Sequence, residues 1–241
     1  MKHIFLRIII LSLSLLAVAC KGEKQRGDFS TLDKPFVESY NSDKSDSPKK
    51  TNEKKKTTQK NRFEVKQGLE IPTSKANVPS LLLYREGYTT SYNADTRTPN
   101  WVAWHLTANH TNGPAKRKGI IFQADEDIPA PRVDTYDYMR SGYDRGHMCP
   151  AGDNHWSQKA MEESFLMTNI CPQEPALNSG LWNTVEKLCR TWAEQYGDVY
   201  IVCGPIYFNR KHKTIGKNKV QVPEAFFKVV LRLKDEPKAI G

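Results

Sequence analysis

Residues 143–154 constrain this chain most, because they combine a cation, a glycine and a titratable base within three consecutive positions. Arg145 can form two hydrogen bonds to one phosphate or carboxylate, and His147 can accept a proton at neutral pH. Gly146 lies between them and, lacking a Cβ, lets the backbone approach a bulky ligand. Pro150 then interrupts any regular strand. These residues predict a reaction centre for a phosphate ester, although a polar surface turn explains them equally well.

Composition divides the 241-residue chain into three segments. Residues 1–19 have a basic start and an apolar run too short to span a membrane, which predicts a secretory signal peptide. Cys20 follows small residues and is the expected lipidation site of a bacterial lipoprotein; an ordinary signal peptide with a coincidental cysteine is the alternative. Residues 20–62 are polar and lysine-rich, which predicts a disordered tether. Residues 63–241 hold nearly all the aromatic residues and are expected to form one domain.

This organisation predicts an exported protein that is anchored to a membrane, in the periplasm or at the cell surface. The membrane contact is expected through the N-terminal lipid only, and no protein partner is predicted. The formal charge of +9 does not by itself indicate a nucleic-acid binder, because residues 63–241 hold 22 basic and 20 acidic residues. Any basic surface must therefore be local. The basic cluster at residues 116–118 is either the wall of such a groove or a solvated loop.

Four cysteines follow Cys20 in the chain, and none forms a C-x-x-C pair, so a zinc site is not expected. Export permits disulfides, but the sequence leaves their connectivity open. Cys149 and Cys171 both lie in the reactive region and form the first pair to test. Buried free thiols would be unremarkable at Cys189 and Cys203.

The pattern of apolar residues predicts an α+β fold with an antiparallel meander at its start. Strands are expected at residues 78–84, 88–93, 101–106, 119–122, 165–170, 199–205 and 225–231, and residues 123–142 are expected to form a loop. A short helix is predicted at 157–163 with Ser157 as its N-cap. The longest helix is predicted to follow Asn178, to end at Gly197, and to pack through Leu181, Val185, Leu188 and Trp192.

Asn178 and Glu186 lie eight positions apart on this helix, so both side chains can lean toward one side of it. An amide oxygen can bind Mg²⁺ directly and a carboxylate can hold the water ligands of the ion, which typically takes only one or two protein oxygens. Asn178 is otherwise more often a helix N-cap, and Glu186 a solvated helix residue. His147, the strand expected to end at Asn169, and this helix give the order β, β, α.

Five motifs occur in order along the second half of the chain: DRGH at 144–147, MTNICPQ at 167–173, LNSGLW at 177–182, Glu186, and VQVPEAFFK at 220–228. With them the chain, from about residue 69 to its end, resembles the DNA/RNA non-specific endonuclease family, the endonuclease G-like ββα-metal nucleases. The resemblance implies an antiparallel central sheet flanked by helices, with a ββα-metal finger. It also implies further residues beyond Gly241, so an exposed sheet edge is expected there.

The resemblance implies a role for each matched residue. His147 would be the general base that activates water, and Asn178 the single direct protein ligand of Mg²⁺. Glu186 and Asn169 would support the water shell of the metal and the region around His147. Arg145 and Arg117 would contact the phosphate, and Asp144 would brace the motif. The match at Arg117 is weaker than at the other positions.

These roles imply a metal-dependent endonuclease that hydrolyses DNA and RNA with little sequence specificity and leaves 5′-phosphate ends. Mg²⁺ is the expected cofactor, and Mn²⁺ or another divalent cation would serve. A non-catalytic surface lipoprotein that binds nucleic acid or another polyanion is the alternative, but it does not explain why His147, Asn178 and Glu186 occur together. A phosphodiesterase for small phosphoesters is a third interpretation.

Overall fold

A six-stranded antiparallel sheet is the largest element of the computed structural model, which describes residues 68–73 and 77–241. Its strand order is β1-β2-β3-β6-β9-β10. The strands are β1 (Leu81–Tyr84), β2 (Thr89–Asn93), β3 (Thr98–Thr107), β6 (Asp198–Ile206), β9 (Ala225–Arg232) and β10 (Lys238–Ile240). The predicted signal peptide, the lipidation site Cys20 and the predicted tether lie outside the described residues.

Two two-stranded ribbons accompany the large sheet. The first pairs β4 (Asp144–His147) with β5 (Ile170–Gln173), and the second pairs β7 (Thr214–Ile215) with β8 (Val220–Gln221). The helices are α1 (Gln158–Glu163), α2 (Pro175–Leu177), a π-helical turn (Asn178–Trp182) and α3 (Asn183–Tyr196). Short 3₁₀ turns lie at Ala108–Thr111, Thr135–Tyr138, Ala151–Asp153 and Met167–Asn169. No helix in the described part of the chain is long and apolar enough to cross a bilayer.

The main core lies where β3 and β6 face α3. Val102, Trp104 and Leu106 on β3 are almost fully buried, and they cluster with Ile201 on β6 and Cys189 on α3. Both faces of β3 are covered near its middle, which is why this stretch reads as a nearly continuous apolar run. The predicted α+β fold with a mainly antiparallel sheet is confirmed.

The packing face of the long helix agrees only in part with the predicted one. Leu181 is 47% exposed, whereas Trp182, Cys189 and Ala193 are buried. Val185 and Trp192 nevertheless pack against the main core as predicted, and Leu181 differs because it lies in the π-helical turn that precedes α3. Gly197 ends the helix as predicted, with φ +94° and its N–H bonded to the Ala193 carbonyl.

Two predicted strands are also corrected. Residues 119–122 form no strand, and only an isolated bridge joins Gln123 to Leu166. Residues 165–170 turn at Met167–Asn169, so β5 follows Asn169 instead of ending there. Pro172 lies inside β5 rather than closing it. It is tolerated because β5 pairs with β4 alone, so the missing N–H faces no second strand.

Candidate active site

The ribbon β4–β5 carries the signature motif. Its register places Asp144 opposite Gln173, Gly146 opposite Cys171 and His147 opposite Ile170. Side chains alternate along a strand, so Arg145 and His147 project to one face and Asp144 to the other. A Cβ on Gly146 would lie 2.1 Å from Gln173 Oε1. The glycine is therefore required by the close approach of a buried side chain from the partner strand.

His147 lies in an aromatic pocket. Its ring centroid is 4.9 Å from that of Phe165, at right angles, and 5.3 Å from that of Phe122. Nε2 is buried and forms no hydrogen bond to any described residue. Burial, reinforced by the positive charge of Arg117, lowers the pKa of His147 to about 3. The imidazole is therefore neutral at physiological pH, with a nitrogen that no protein group occupies.

Two arginines flank this pocket. The guanidinium of Arg145 lies 5.0 Å from the centroid of Phe122 and donates from Nη1 to Thr135 Oγ1 at 2.8 Å. The guanidinium of Arg117 lies 5.3 Å from the centroid of Phe165. Within the described residues, neither arginine has a carboxylate oxygen within 4.0 Å. Both cations can therefore accept an anionic ligand beside the imidazole without first breaking an ion pair.

Asn178 contacts the signature strand directly. Its Nδ2 donates to Asp144 Oδ2 at 2.9 Å, which fixes the orientation of the amide. No described residue donates a hydrogen bond to Asn178 Oδ1, so this oxygen is available for a ligand. Asn178 is not the helix N-cap considered from the sequence, because the helical segment begins earlier, with Pro175 in its first turn. Asn178 therefore does not have to serve both as a helix cap and as a ligand-binding residue.

The helix also holds the backbone of the motif through Trp182, whose Nε1 donates to the His147 carbonyl at 3.1 Å. Glu186 follows one turn later and is partly buried. Burial raises its pKa to about 7, against the opposing positive charge of Lys228. A carboxyl group with this pKa adopts either protonation state near neutral pH. The ammonium of Lys228 lies 4.4 Å from the ring centroid of Trp182 and 4.9 Å from that of Trp104.

Asn169 is fully buried and clamps the chain just after His147. Its Oδ1 accepts from the Cys149 N–H at 2.9 Å, and its Nδ2 donates to the carbonyls of Cys149 and Ser164, each at 2.8 Å. These bonds occupy the amide, so the structure gives it no part in a metal water shell. Asn169 supports the His147 region through the backbone instead.

The donor set fits a hard divalent cation that keeps most of its water. Among the described residues, no three His, Cys, Asp or Glu side chains come together as a metal site. A single free amide oxygen on Asn178, oriented by Asp144, matches the habit of Mg²⁺ of taking few protein oxygens. The structure brings Asp144 and Asn178 into direct contact, and joins His147 to the helix of Glu186 through Trp182.

The four described cysteines are all buried and free. The pair Cys149–Cys171 is therefore not bridged, which corrects the first disulfide considered from the sequence. Cys149 follows β4 and Cys171 lies in β5, and both thiols pack in the main core. They serve as small apolar residues there.

The sequence did not reveal four residues around the site. Phe122 and Phe165 line the pocket of His147, Trp182 donates a hydrogen bond to the His147 carbonyl, and Lys228 lies beside Trp182. Phe122 was assigned to a strand and Phe165 to another, so their meeting at His147 depended on a turn that was not predicted. A signal existed for Trp182, because it lies four positions before Glu186 and therefore on the same helix face. Nothing local to residue 228 indicates that its ammonium lies between two indole rings.

The fold and this site define a ββα-metal nuclease arrangement: an antiparallel ribbon bearing a histidine, followed by a helix bearing an asparagine. A family model described as DNA/RNA non-specific endonuclease matches residues 66–241. The chain belongs to that family, as its motifs predicted.

Individual relatives agree with this assignment. The chain is 41% identical over 155 residues to "Nuclease EXOG, mitochondrial" of Danio rerio, covering 60% of this chain and 45% of the relative. It is 38% identical over 170 residues to "Endonuclease G, mitochondrial" of Homo sapiens, covering 66% and 57%. A crystal structure of the EndoG/EndoGI complex matches with a TM-score of 0.63 and 35% identity, covering 67% of this chain and 72% of that one. The chain spans about half the length of the curated relatives just described.

The predicted location is wrong. The sequence predicted an exported, membrane-anchored lipoprotein, and this is contradicted by the relatives from fish, human and yeast, which are named as mitochondrial nucleases. The error has a compositional cause: residues 1–20 hold Lys2, Arg7 and no acidic residue. Organelle transit peptides share this basic, acid-poor character with secretory signals. The leader alone therefore does not separate the two destinations.

Proposed function

We propose that this protein is a divalent-metal-dependent endonuclease that hydrolyses phosphodiester bonds in DNA and RNA. The observation that carries the proposal is a neutral imidazole, His147, flanked by two arginines that have no carboxylate partner among the described residues and joined to a helix that presents a free amide oxygen. The family description and the names of the relatives support the same activity.

Substrate binding depends on the two arginines. Arg145 and Arg117 hold one phosphate beside His147, and their charges stabilise the phosphoryl oxygens as negative charge develops in the transition state. The approaching phosphate also adds negative charge next to the imidazole, which raises the pKa of His147 from its value in the free protein and makes it a better base. These contacts address phosphate rather than base edges, so weak sequence preference follows.

Hydrolysis needs two proton transfers and one bond exchange at phosphorus. His147 accepts a proton from a water molecule, whose oxygen forms the new bond to phosphorus. The bond from phosphorus to the 3′ oxygen breaks opposite it, the 3′ oxygen takes a proton from solvent water, and His147 returns its proton to solvent. The products carry 5′-phosphate and 3′-hydroxyl ends.

Mg²⁺ is the proposed cofactor, held through Asn178 Oδ1 and, by way of its water ligands, near Glu186. When bound, the ion would supply charge neutralisation at the phosphate and at the leaving oxygen. Asp144 keeps the Asn178 amide in the orientation that leaves Oδ1 free. Mn²⁺ has a similar preference for oxygen ligands and is expected to substitute.

The test is an incubation of the full chain with supercoiled plasmid and with RNA, in Mg²⁺ or in EDTA. Degradation in Mg²⁺ alone is expected, with ends that ligase can join after annealing because they carry 5′-phosphate. Asn178→Ala should lose the Mg²⁺ response, whereas Asn183→Ala, five residues further along the helical segment, should keep it, because the Asn183 side chain bonds only the Ser179 carbonyl among the described residues. Intact polymer that is nonetheless bound would favour the alternative of a non-catalytic nucleic-acid-binding protein.

A further inference from the structure

A strongly basic hairpin lies beside the signature strand and has no role in the site described above. It comprises residues 210–221, includes β7 and β8, and contains no aspartate or glutamate. Five of its residues are exposed cations with no carboxylate within 4.0 Å in the described part of the chain. They are Arg210, Lys211, Lys213, Lys217 and Lys219. The near-neutral charge of residues 63–241 as a whole conceals this local concentration.

The basic hairpin is fixed to the turn that supports Arg145. Asn218 donates from its backbone N–H to Asp137 Oδ1 and from Nδ2 to Asp137 Oδ2, both at 2.8 Å. A Cβ on Gly216 would lie 2.4 Å from the Cα of Asp137. Asp137 is buried in the turn Thr135–Tyr138, and Thr135 accepts the hydrogen bond from Arg145. One turn therefore supports both the basic hairpin and the proposed phosphate-binding arginine.

The basic hairpin also packs against β5, the strand that pairs with the signature strand β4. Ile215 and Val220 are buried in one apolar cluster with Met167 and Ile170, and Ile170 is the residue paired with His147. These buried contacts make the hairpin a rigid extension of the ribbon rather than a loose loop. Its exposed lysines are therefore held in a defined place relative to the ribbon.

Lys213 joins the basic hairpin to the segment that leads into β4. Its ammonium lies 4.6 Å from the ring centroid of Tyr143 and 3.3 Å from the Tyr143 hydroxyl. Tyr143 lies four residues before His147 and packs with Phe122 against one apolar cluster, and the Phe122 ring lies beside both Arg145 and His147. An extended chain covers about 13 Å over four residues, which corresponds to roughly four nucleotides along one strand of a duplex.

We propose that the basic hairpin is a second phosphate-binding surface, which holds the nucleic-acid backbone several nucleotides from the bond that is cut. This inference rests on the proposed nuclease function. Contacts from its exposed cations to phosphate carry no sequence information, so the basic hairpin adds affinity without sequence preference. The surface makes polymers better ligands than dinucleotides, because only a polymer reaches from His147 to the basic hairpin.

The experiment compares two double variants that remove the same charge. Lys217→Gln/Lys219→Gln changes the basic hairpin, and Lys234→Gln/Lys238→Gln changes exposed lysines between β9 and the end of β10 as a matched control. Binding of the full chain to a fluorescent 30-nucleotide single strand and to a dinucleotide is measured in EDTA over a series of salt concentrations. Plasmid cleavage in Mg²⁺ is recorded in parallel.

The hairpin variant should bind the 30-mer on the order of tenfold more weakly at 0.1 M salt, because each lost phosphate contact removes counterion release. Its plot of log affinity against log salt should be shallower by about 1.4, at roughly 0.7 per phosphate contact on a single strand. The ratio of 30-mer to dinucleotide affinity should fall. The control variant should match the wild type in all three quantities.

Equal weakening by both variants, or a hairpin variant with the wild-type salt slope, would overturn the inference and leave the proposed function intact. Absence of plasmid cleavage by the wild type, with the salt effect present, would instead refute the nuclease and leave a nucleic-acid-binding hairpin. Should Lys217→Gln/Lys219→Gln unfold, Lys211→Gln carries the same test from the segment before β7, with an expected slope change of about 0.7.

Discussion

Replacing His147 by glutamine should flatten the acid dependence of stability in the metal-free protein. The unfolded chain protonates histidine with a pKa of about 6.5, whereas burial lowers the pKa of His147 to about 3 in the folded protein. As the pH falls below about 6.5, the unfolded state therefore binds a proton that the folded state does not. The stability that the neutral imidazole contributes is present above this pH and is lost on acidification toward pH 3.

The magnitude follows from the two pKa values. At pH 7.5 protonation of His147 stabilises the unfolded state by a negligible amount. At pH 4.5 protonation of this one histidine stabilises the unfolded state by about 2.5 kcal/mol. Glu186 works in the opposite direction, because its raised pKa of about 7 gives stability that is present below its unfolded pKa and is lost as pH rises. Its contribution occurs in both proteins, so comparing the wild type with the variant isolates His147.

Urea unfolding followed by tryptophan fluorescence, in EDTA at pH 7.5 and 4.5, measures the effect. Between these pH values the wild type should lose about 2.5 kcal/mol more stability than His147→Gln. His105→Gln, which removes an imidazole bonded to Asp198 at 2.8 Å and leaves His147 in place, is the control for the loss of a histidine elsewhere in the fold. An equal loss in the wild type and His147→Gln would refute the buried, neutral imidazole.

Three further substitutions test the supports of the site. Asp144→Ala should lower Mg²⁺ affinity by about 10- to 100-fold in a calorimetric titration, because Asn178 loses the partner that orients its amide. Gly146→Ala should destabilise the protein by about 1–3 kcal/mol in a urea melt, since its Cβ would overlap Gln173; unchanged stability would mean that β5 moves freely. Asn169→Ala should cost about 2–4 kcal/mol, because it leaves buried backbone groups unpaired, and Mg²⁺ affinity that fell more than stability would return a metal role to this residue.

The residues proposed to carry the chemistry could be named from the sequence because they lie in short motifs that resemble those of a known family. The ribbon of His147 and the helix of Asn178 and Glu186 are local elements, and their order is visible in the sequence. The role of Asn169 was harder to predict. The 3₁₀ turn at Met167–Asn169 places its side-chain amide against the backbone of Cys149, just after β4. A buried apolar run predicts burial but does not distinguish a strand from a turn.

The surroundings of the site could not be predicted because they depend on long-range packing. Phe122 and Phe165 meet at His147 although 43 positions separate them. The basic hairpin reaches Tyr143 from 70 positions away. The resulting pKa of His147 is a product of this assembly, because desolvation requires walls from several elements at once.

The cleavage rate of His147→Gln tests the central claim most directly. A fluorescent single-stranded DNA is cleaved under saturating conditions in Mg²⁺, and binding of the same DNA is measured in EDTA. If His147 is the base that activates water, kcat should fall by about 10²- to 10⁴-fold while Kd changes by less than about threefold, since the arginines that hold the phosphate remain. A kcat within tenfold of the wild type would contradict the assignment.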